Sequence, residues 1–125
     1  MNQKTYDEGL RIRTAVLGEE YVKSAAKTDD FAGPFQDLLT EYCWGAVWGR
    51  EGLPLRTRSM LNLAILAVLN RPNELATHIR GALTNGVTRS EIREVLLQAT
   101  VYAGMPAGVD GFRVATKTLA ELDGE

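Results

Sequence analysis

Apolar residues recur along this chain at steps of three and four. Phe35, Leu38, Leu39, Tyr42, Cys43 and Ala46 form one such series. Ile92, Val95, Leu96, Ala99 and Ala103 form a second, and Val109, Phe112, Ala115, Thr116 and Leu119 a third. Each series lays an apolar stripe along one side of a helix. No run of five or more residues alternates apolar and polar positions as a half-buried strand requires. The spacing predicts helices over about 4–17, 19–27, 34–48, 57–69, 73–85, 89–104 and 107–122, with Gly49-Arg-Glu-Gly-Leu-Pro-Leu55 as the one substantial loop. Local punctuation agrees. Thr88 and Glu91 are spaced as a capping box, with Val87 and Ile92 placed for a hydrophobic staple. Asn85-Gly86 reads as a helix C-terminus, and Pro34, Pro72 and Pro106 suit first turns. The fold class predicted is all-α, a bundle of about six to seven helices in a single domain over residues 1–125.

Helix 57–69 differs from the rest. Met60, Leu61, Leu63, Ala64, Ile65, Leu66, Ala67, Val68 and Leu69 cover nearly its whole circumference, which predicts burial on all sides. Trp44 and Trp48 lie away from the Phe35/Leu38/Tyr42 stripe and suggest a second apolar face on helix 34–48. A chain this small has little material to cover both, so a homo-oligomer is expected. The alternative is a helix sandwiched inside one subunit.

Composition narrows the function classes. The 125 residues carry 14 Lys+Arg against 16 Asp+Glu, for a formal charge of −2, and 45% are hydrophobic. That is ordinary globular material, without the bulk basic surface of a nucleic-acid binder. The polar start, MNQKTYDEGLRIRT, has no apolar signal core. Met60–Leu69 is too short for a membrane span. A single cysteine forms no internal disulfide, which fits the cytoplasm.

Few residues can carry chemistry. The only histidine, His78, lies beside the Leu75/Ala82 stripe, with Glu74 four residues earlier. The carboxylate would raise the imidazole pKa and burial would lower it. Two readings stay open: a proton donor or acceptor, or a satisfied histidine at a helix flank. Cys43 sits on a core stripe and reads as structural. One His and one Cys on different helices do not make a metal-ligand set, and no glycine-rich phosphate loop follows a strand. Arg50, Arg56, Arg58, Arg80 and Arg113 are candidates for pairing with a substrate carboxylate or with surface acids.

From Trp44 to Ala115 the chain reads WGAVWGREGLPLRTRSMLNLAILAVLNRPNELATHIRGALTNGVTRSEIREVLLQATVYAGMPAGVDGFRVA. The elements WGxxWxRxGLxxRTRS, ELxxHxRxAxxNG, EIREVLLQ and VYAGxPA resemble the carboxymuconolactone decarboxylase family. The N-terminal YDEGLRIRTAVLG is similar to that of its small bacterial decarboxylases. The resemblance implies the all-α fold shared with AhpD alkylhydroperoxidases, assembled as trimers or hexamers. It implies a cofactor-free reaction: loss of CO₂ from 4-carboxymuconolactone, giving 3-oxoadipate enol-lactone in protocatechuate breakdown. The expected catalytic residues are His78 and Glu74, and the expected substrate-binding residues are Arg50, Arg58, Ser59 and Arg80. The expected partners are a small carboxylated lactone and further copies of the chain, with no nucleic acid or membrane.

Two departures bear on activity. The peroxidase branch carries CxxC before its histidine, whereas here Arg71 and Glu74 stand at those positions and Ser59 near the upstream acid. Dithiol peroxidase activity is therefore not expected. Decarboxylases of the WGEVW pattern have an acid where this chain has Ala46, which leaves room for a related substrate. The alternatives to a decarboxylase are an AhpD-like redox protein lacking CxxC and a non-catalytic helical oligomer.

Overall fold

The structure, a computed structural model, describes residues 1–26 and 30–125. The described residues contain seven α-helices, one π-helical segment and no strand. The α-helices are α1 (Gln3–Leu17), α2 (Glu19–Ala26), α3 (Gly33–Leu38), α4 (Leu55–Val68), α5 (Pro72–Thr84), α6 (Arg89–Ala103) and α7 (Met105–Leu122). The π-helical segment, Leu39–Val47, continues directly from α3. The predicted all-α fold is observed. The last residue of the predicted helix 19–27 lies outside the described residues. Contacts divide the chain into two compact units, Met1–Leu55 and Arg56–Glu125.

In the first unit, α1 packs against the π-helical segment. The Asn2 side chain accepts from the Thr5 N–H at 3.0 Å and caps α1, while the Asn2 N–H donates to Glu41 at 2.9 Å. A Cβ at Gly9 would collide with the carbonyl of Thr40 and the backbone of Gly45, and one at Gly45 with the carbonyl of Thr5. The two backbones therefore touch, which only glycine permits. Ile12, Val16, Trp44 and Trp48 form the core. The two indoles stack with centroids 4.4 Å apart.

This arrangement corrects the expectation for residues 34–48. Trp44 and Trp48 are 3% and 4% exposed and fill the core of this unit, whereas Phe35, Leu38 and Tyr42 are 58%, 61% and 64% exposed. The inward line runs Gln36, Thr40, Trp44, Trp48, a strict spacing of four. The segment closes i→i+5 bonds, such as Trp48 N–H to Cys43 C=O at 3.0 Å. Its wider turn keeps that four-residue line facing α1, where the 3.6 period of an α-helix would drift away.

In the second unit, Leu63 and Ala67 of α4, Leu75, Ile79 and Ala82 of α5, Ile92 and Leu96 of α6 and Ala115 of α7 build one core. The capping box at Thr88 and Glu91 is complete in both directions. Val87 and Ile92, the predicted staple pair, are both buried in the core. Arg56, at the start of α4, donates to the Gly86 carbonyl at 3.2 Å and pairs with Glu91. The same carboxylate thus caps α6 and anchors α4. These bonds hold the Glu91 carboxyl well below its usual range, at about 2. On α7 the inward residues are Gly108, Gly111, Ala115 and Thr118. A Cβ at Gly108 would meet Thr100, so α7 lies flush on α6. That close approach turns Val109 outward from the stripe expected for it, to 55% exposure.

Helix α4 is covered on one side only within the chain. Ser59, Leu63 and Ala67 face inward, while Leu61, Ile65, Val68 and Leu69 remain 47–56% exposed. One chain does not supply enough surface to cover a helix that is apolar all round.

The glycine contact predicts a graded result. Gly9→Ala should cost about 1–3 kcal/mol or more through overpacking against backbone. Gly33→Ala, where a Cβ meets nothing within 4 Å, should stay within about 0.5 kcal/mol of wild type. Urea unfolding of the two variants tests the contrast.

Candidate functional site

Helix α5 is an amphipathic segment that opens with Pro72 in its first turn. Its inward stripe is Leu75, His78, Ile79 and Ala82, spaced i, i+3, i+4, i+7. His78 thus occupies a core position and is 7% exposed. Its Nε2 lies 3.8 Å from Glu74 Oε2, one turn earlier and more than half exposed. At that separation the carboxylate is beyond hydrogen-bonding distance, and the imidazole is buried. Burial pushes the His78 pKa down from 6.5 to about 4. Of the two opposing causes weighed from the sequence, burial prevails. The ring is neutral at pH 7 and has both a donor and an acceptor nitrogen.

Ser59 on α4 is fully buried. Its Oγ accepts a hydrogen bond from Asn85 Nδ2 at 3.2 Å, which leaves the hydroxyl proton to be donated elsewhere. Asn85 ends α5, so this bond ties the end of the histidine helix to α4. Sequence reasoning read Asn85 only as a helix terminus, because the side chain's partner is 26 residues away in the chain.

The arginines separate into different settings. Arg58, next to Ser59 in the first turn of α4, is half-buried. Arg80 is held by Glu121 of α7 at 2.6 Å, and Arg113 by Asp110 at 2.9 Å. Arg56 is committed to Glu91 and Gly86. Arg50 is exposed in the loop of the first unit. It borders a cleft of about 480 Å³ there, floored by Ile12, Trp48 and Leu53. Cys43 is partly buried against the first core, and burial raises its thiol pKa. It is therefore a thiol rather than a thiolate at neutral pH. Among the described residues no three His, Cys, Asp or Glu side chains gather as metal ligands. No helix of the described residues is long and apolar enough to cross a membrane.

The fold and site define an all-α protein that sets its single imidazole inside a helical core, with polar groups at the ends of the two helices bearing Ser59 and His78. The chain belongs to the Carboxymuconolactone decarboxylase family, whose profile matches residues 33–117. It is 39% identical over 122 residues to the 4-carboxymuconolactone decarboxylase of Acinetobacter baylyi, covering 97% of this chain and 91% of that protein. It is 42% identical over 123 residues to the nitrosuccinic acid decarboxylase of Metarhizium robertsii, covering 98% of this chain and 86% of that protein. A further relative, an uncharacterized 15.0 kDa protein of Paracoccus denitrificans, is 35% identical over 71% of this chain and 67% of its own length.

The buried imidazole predicts an acid-side loss of stability. Between about pH 6.5 and 4 the unfolded chain binds a proton at His78 that the folded chain excludes. Stability from this group is therefore complete above about 6.5 and declines as the pH falls toward 4. Denaturation of wild type and His78→Gln at pH 7.5 and 4.5 should show an extra loss in wild type on the order of 1–3 kcal/mol. Equal losses in both would show that the ring titrates normally.

Proposed function

We propose that the protein is a cofactor-free carboxy-lyase that decarboxylates 4-carboxymuconolactone or a related carboxylated acid. In the first case the product is 3-oxoadipate enol-lactone, a step of protocatechuate breakdown. The observation that carries this reading is the likeness to two decarboxylases over 97% and 98% of the chain.

The two substrates in those names share a reactive pattern. Each has a departing carboxylate on a carbon that also bears a carboxymethyl arm and is joined to an electron acceptor. In the lactone the electrons of the breaking C–C bond run through the C=C into the lactone carbonyl, giving a dienolate. In nitrosuccinate they run into the nitro group, giving a nitronate. Protonation at carbon completes either reaction. The protein's tasks are to hold two carboxylates, stabilise an oxyanion and deliver one proton. Ala46, in place of the acid of the WGEVW pattern, favours a substrate range that includes such relatives of the lactone.

His78 is the proton carrier of this reading. Its ring is neutral in the free protein. A dicarboxylate brought close to it raises its pKa by placing negative charge beside a group in an apolar setting. The imidazole then gains a proton on binding and passes it to the carbanion carbon. Glu74, one turn away, assists that gain through its charge and orients the ring once it closes to hydrogen-bonding distance. Ser59, fixed by Asn85, donates to a substrate oxygen. Arg58 and Arg50 hold carboxylates, and Arg80 joins them only by leaving Glu121.

The protein works in the cytoplasm as a homo-oligomer, a trimer or hexamer. The open apolar side of α4 supports assembly. It continues into an apolar groove of about 410 Å³ lined by Met60, Leu61, Ala64 and Val95.

Pure protein should release CO₂ from 4-carboxymuconolactone faster than a protein-free blank, with nitrosuccinate assayed in parallel. His78→Gln should lower kcat by about 10²–10⁴-fold with fold intact, whereas Arg58→Gln should chiefly raise KM. Absence of turnover on both compounds would refute the activity. Near-wild-type kcat in His78→Gln would refute the histidine's role alone. Light scattering should give a mass several times that of the 13.7 kDa chain. Leu61→Glu should reduce it by placing a charge in the contact, and a folded wild-type monomer would refute assembly.

A further inference from the structure

In the first unit, among the described residues, a buried charge has no carboxylate paired with it. Helix α1 turns Gly9, Ile12, Arg13 and Val16 inward, so an arginine occupies a core position. Arg13 is 5% exposed. Its Nη1 donates to Gln36 Oε1 at 3.1 Å and to Thr40 Oγ1 at 3.3 Å. Both acceptors are neutral. Its Nε is buried without a hydrogen-bond partner, and among the described residues no carboxylate pairs with it. A guanidinium cannot shed its proton to escape burial, and buried charges are ordinarily paired.

The surroundings suit an anion. Thr40 belongs to the π-helical segment, a rare geometry that recurs at functional sites. Gln36 is on α3, a six-residue helix with no buried residue. Exchanging its amide oxygen for a ligand carboxylate therefore disturbs little packing. The exchange replaces a neutral hydrogen bond with a charge-assisted one, about twice as strong.

We infer that Arg13, with Thr40, is a binding site for a small carboxylate anion, which displaces Gln36 and takes the guanidinium as its partner. Resting on the proposed activity, a molecule of its substrate class is one source of that anion. The same chemistry also accepts a separate small carboxylate.

Titration calorimetry with succinate as the probe tests the inference without reference to turnover. Wild type should bind it. Arg13→Gln should bind about tenfold more weakly or worse. Gln36→Glu guards against a misfolded arginine variant. It places a fixed carboxylate on Arg13, so it should melt at a higher temperature than wild type and lose succinate binding. Wild type that binds no succinate, or Gln36→Glu that binds it as wild type does, overturns the inference. Kinetics then identify the source of the anion. A substrate carboxylate at Arg13 makes succinate a competitive inhibitor and raises KM in Gln36→Glu, whereas a separate anion leaves KM unchanged. If neither proposed substrate turns over, calorimetry still decides the site.

Discussion

The chemistry proposed for this chain depends on one packing constraint: the imidazole of His78 fills a core position of α5. Leu75, Ile79 and Ala82 share its stripe, and each is 0–2% exposed. The ring therefore cannot turn to solvent without opening the core of the second unit. The same apolar contacts that stabilise the helix remove the water that would otherwise support an imidazolium. Stability and protonation state thus have one origin. In the proposed reaction a ligand that carries its own negative charge restores the charged ring near neutral pH, which would couple reactivity to occupancy.

The end of α5 shows how much this constraint needs polar support. Asn85 closes the helix through backbone bonds and also donates to Ser59 of α4. Gly86, at φ 93°, then turns the chain to Val87 and the capped start of α6. Arg56 bonds the Gly86 carbonyl and the capping Glu91. One short turn therefore fixes the end of the histidine helix, the start of α6 and the first turn of α4. The position of Ser59 follows from that turn as much as from its own helix.

Much of the fold could be read because its signals are local. The capping box, the staple and the prolines at helix starts act within four residues, and each was found where expected. The stripe on residues 34–48 could not be read the same way. Its inward line includes Gln36 and Thr40 and follows a spacing of four, so an apolar count at the α-helical period selects the outer face. The outer side of α4 poses another problem. A hydrophobic pattern states that a surface needs cover and does not state which chain supplies it. At the site, His78 and Glu74 were legible as a pair, but the direction of the histidine's pKa shift was not. Two opposing causes act on it, and only distance and exposure decide between them. Arg13 went unnoticed although its i, i+4 place between Gly9 and Ile12 and Val16 is visible, because an arginine in a stripe is ordinarily read as its solvated edge.

His78 and Arg13 meet the same physical difficulty with different chemistry. Among the described residues each unit buries one basic side chain, and desolvation disfavours the charged form of such groups. The imidazole has a reference pKa near the working pH and responds by losing its proton, as its fall to about 4 records. A guanidinium keeps its charge and has no such response. Its stabilisation has to come from outside the group, through dipoles or a counter-ion. Two neutral oxygens supply part of it, and the unbonded Nε marks what they leave unsupplied. A basic group that can discharge is suited to moving a proton. One that cannot is suited to holding an anion, and a decarboxylase needs both.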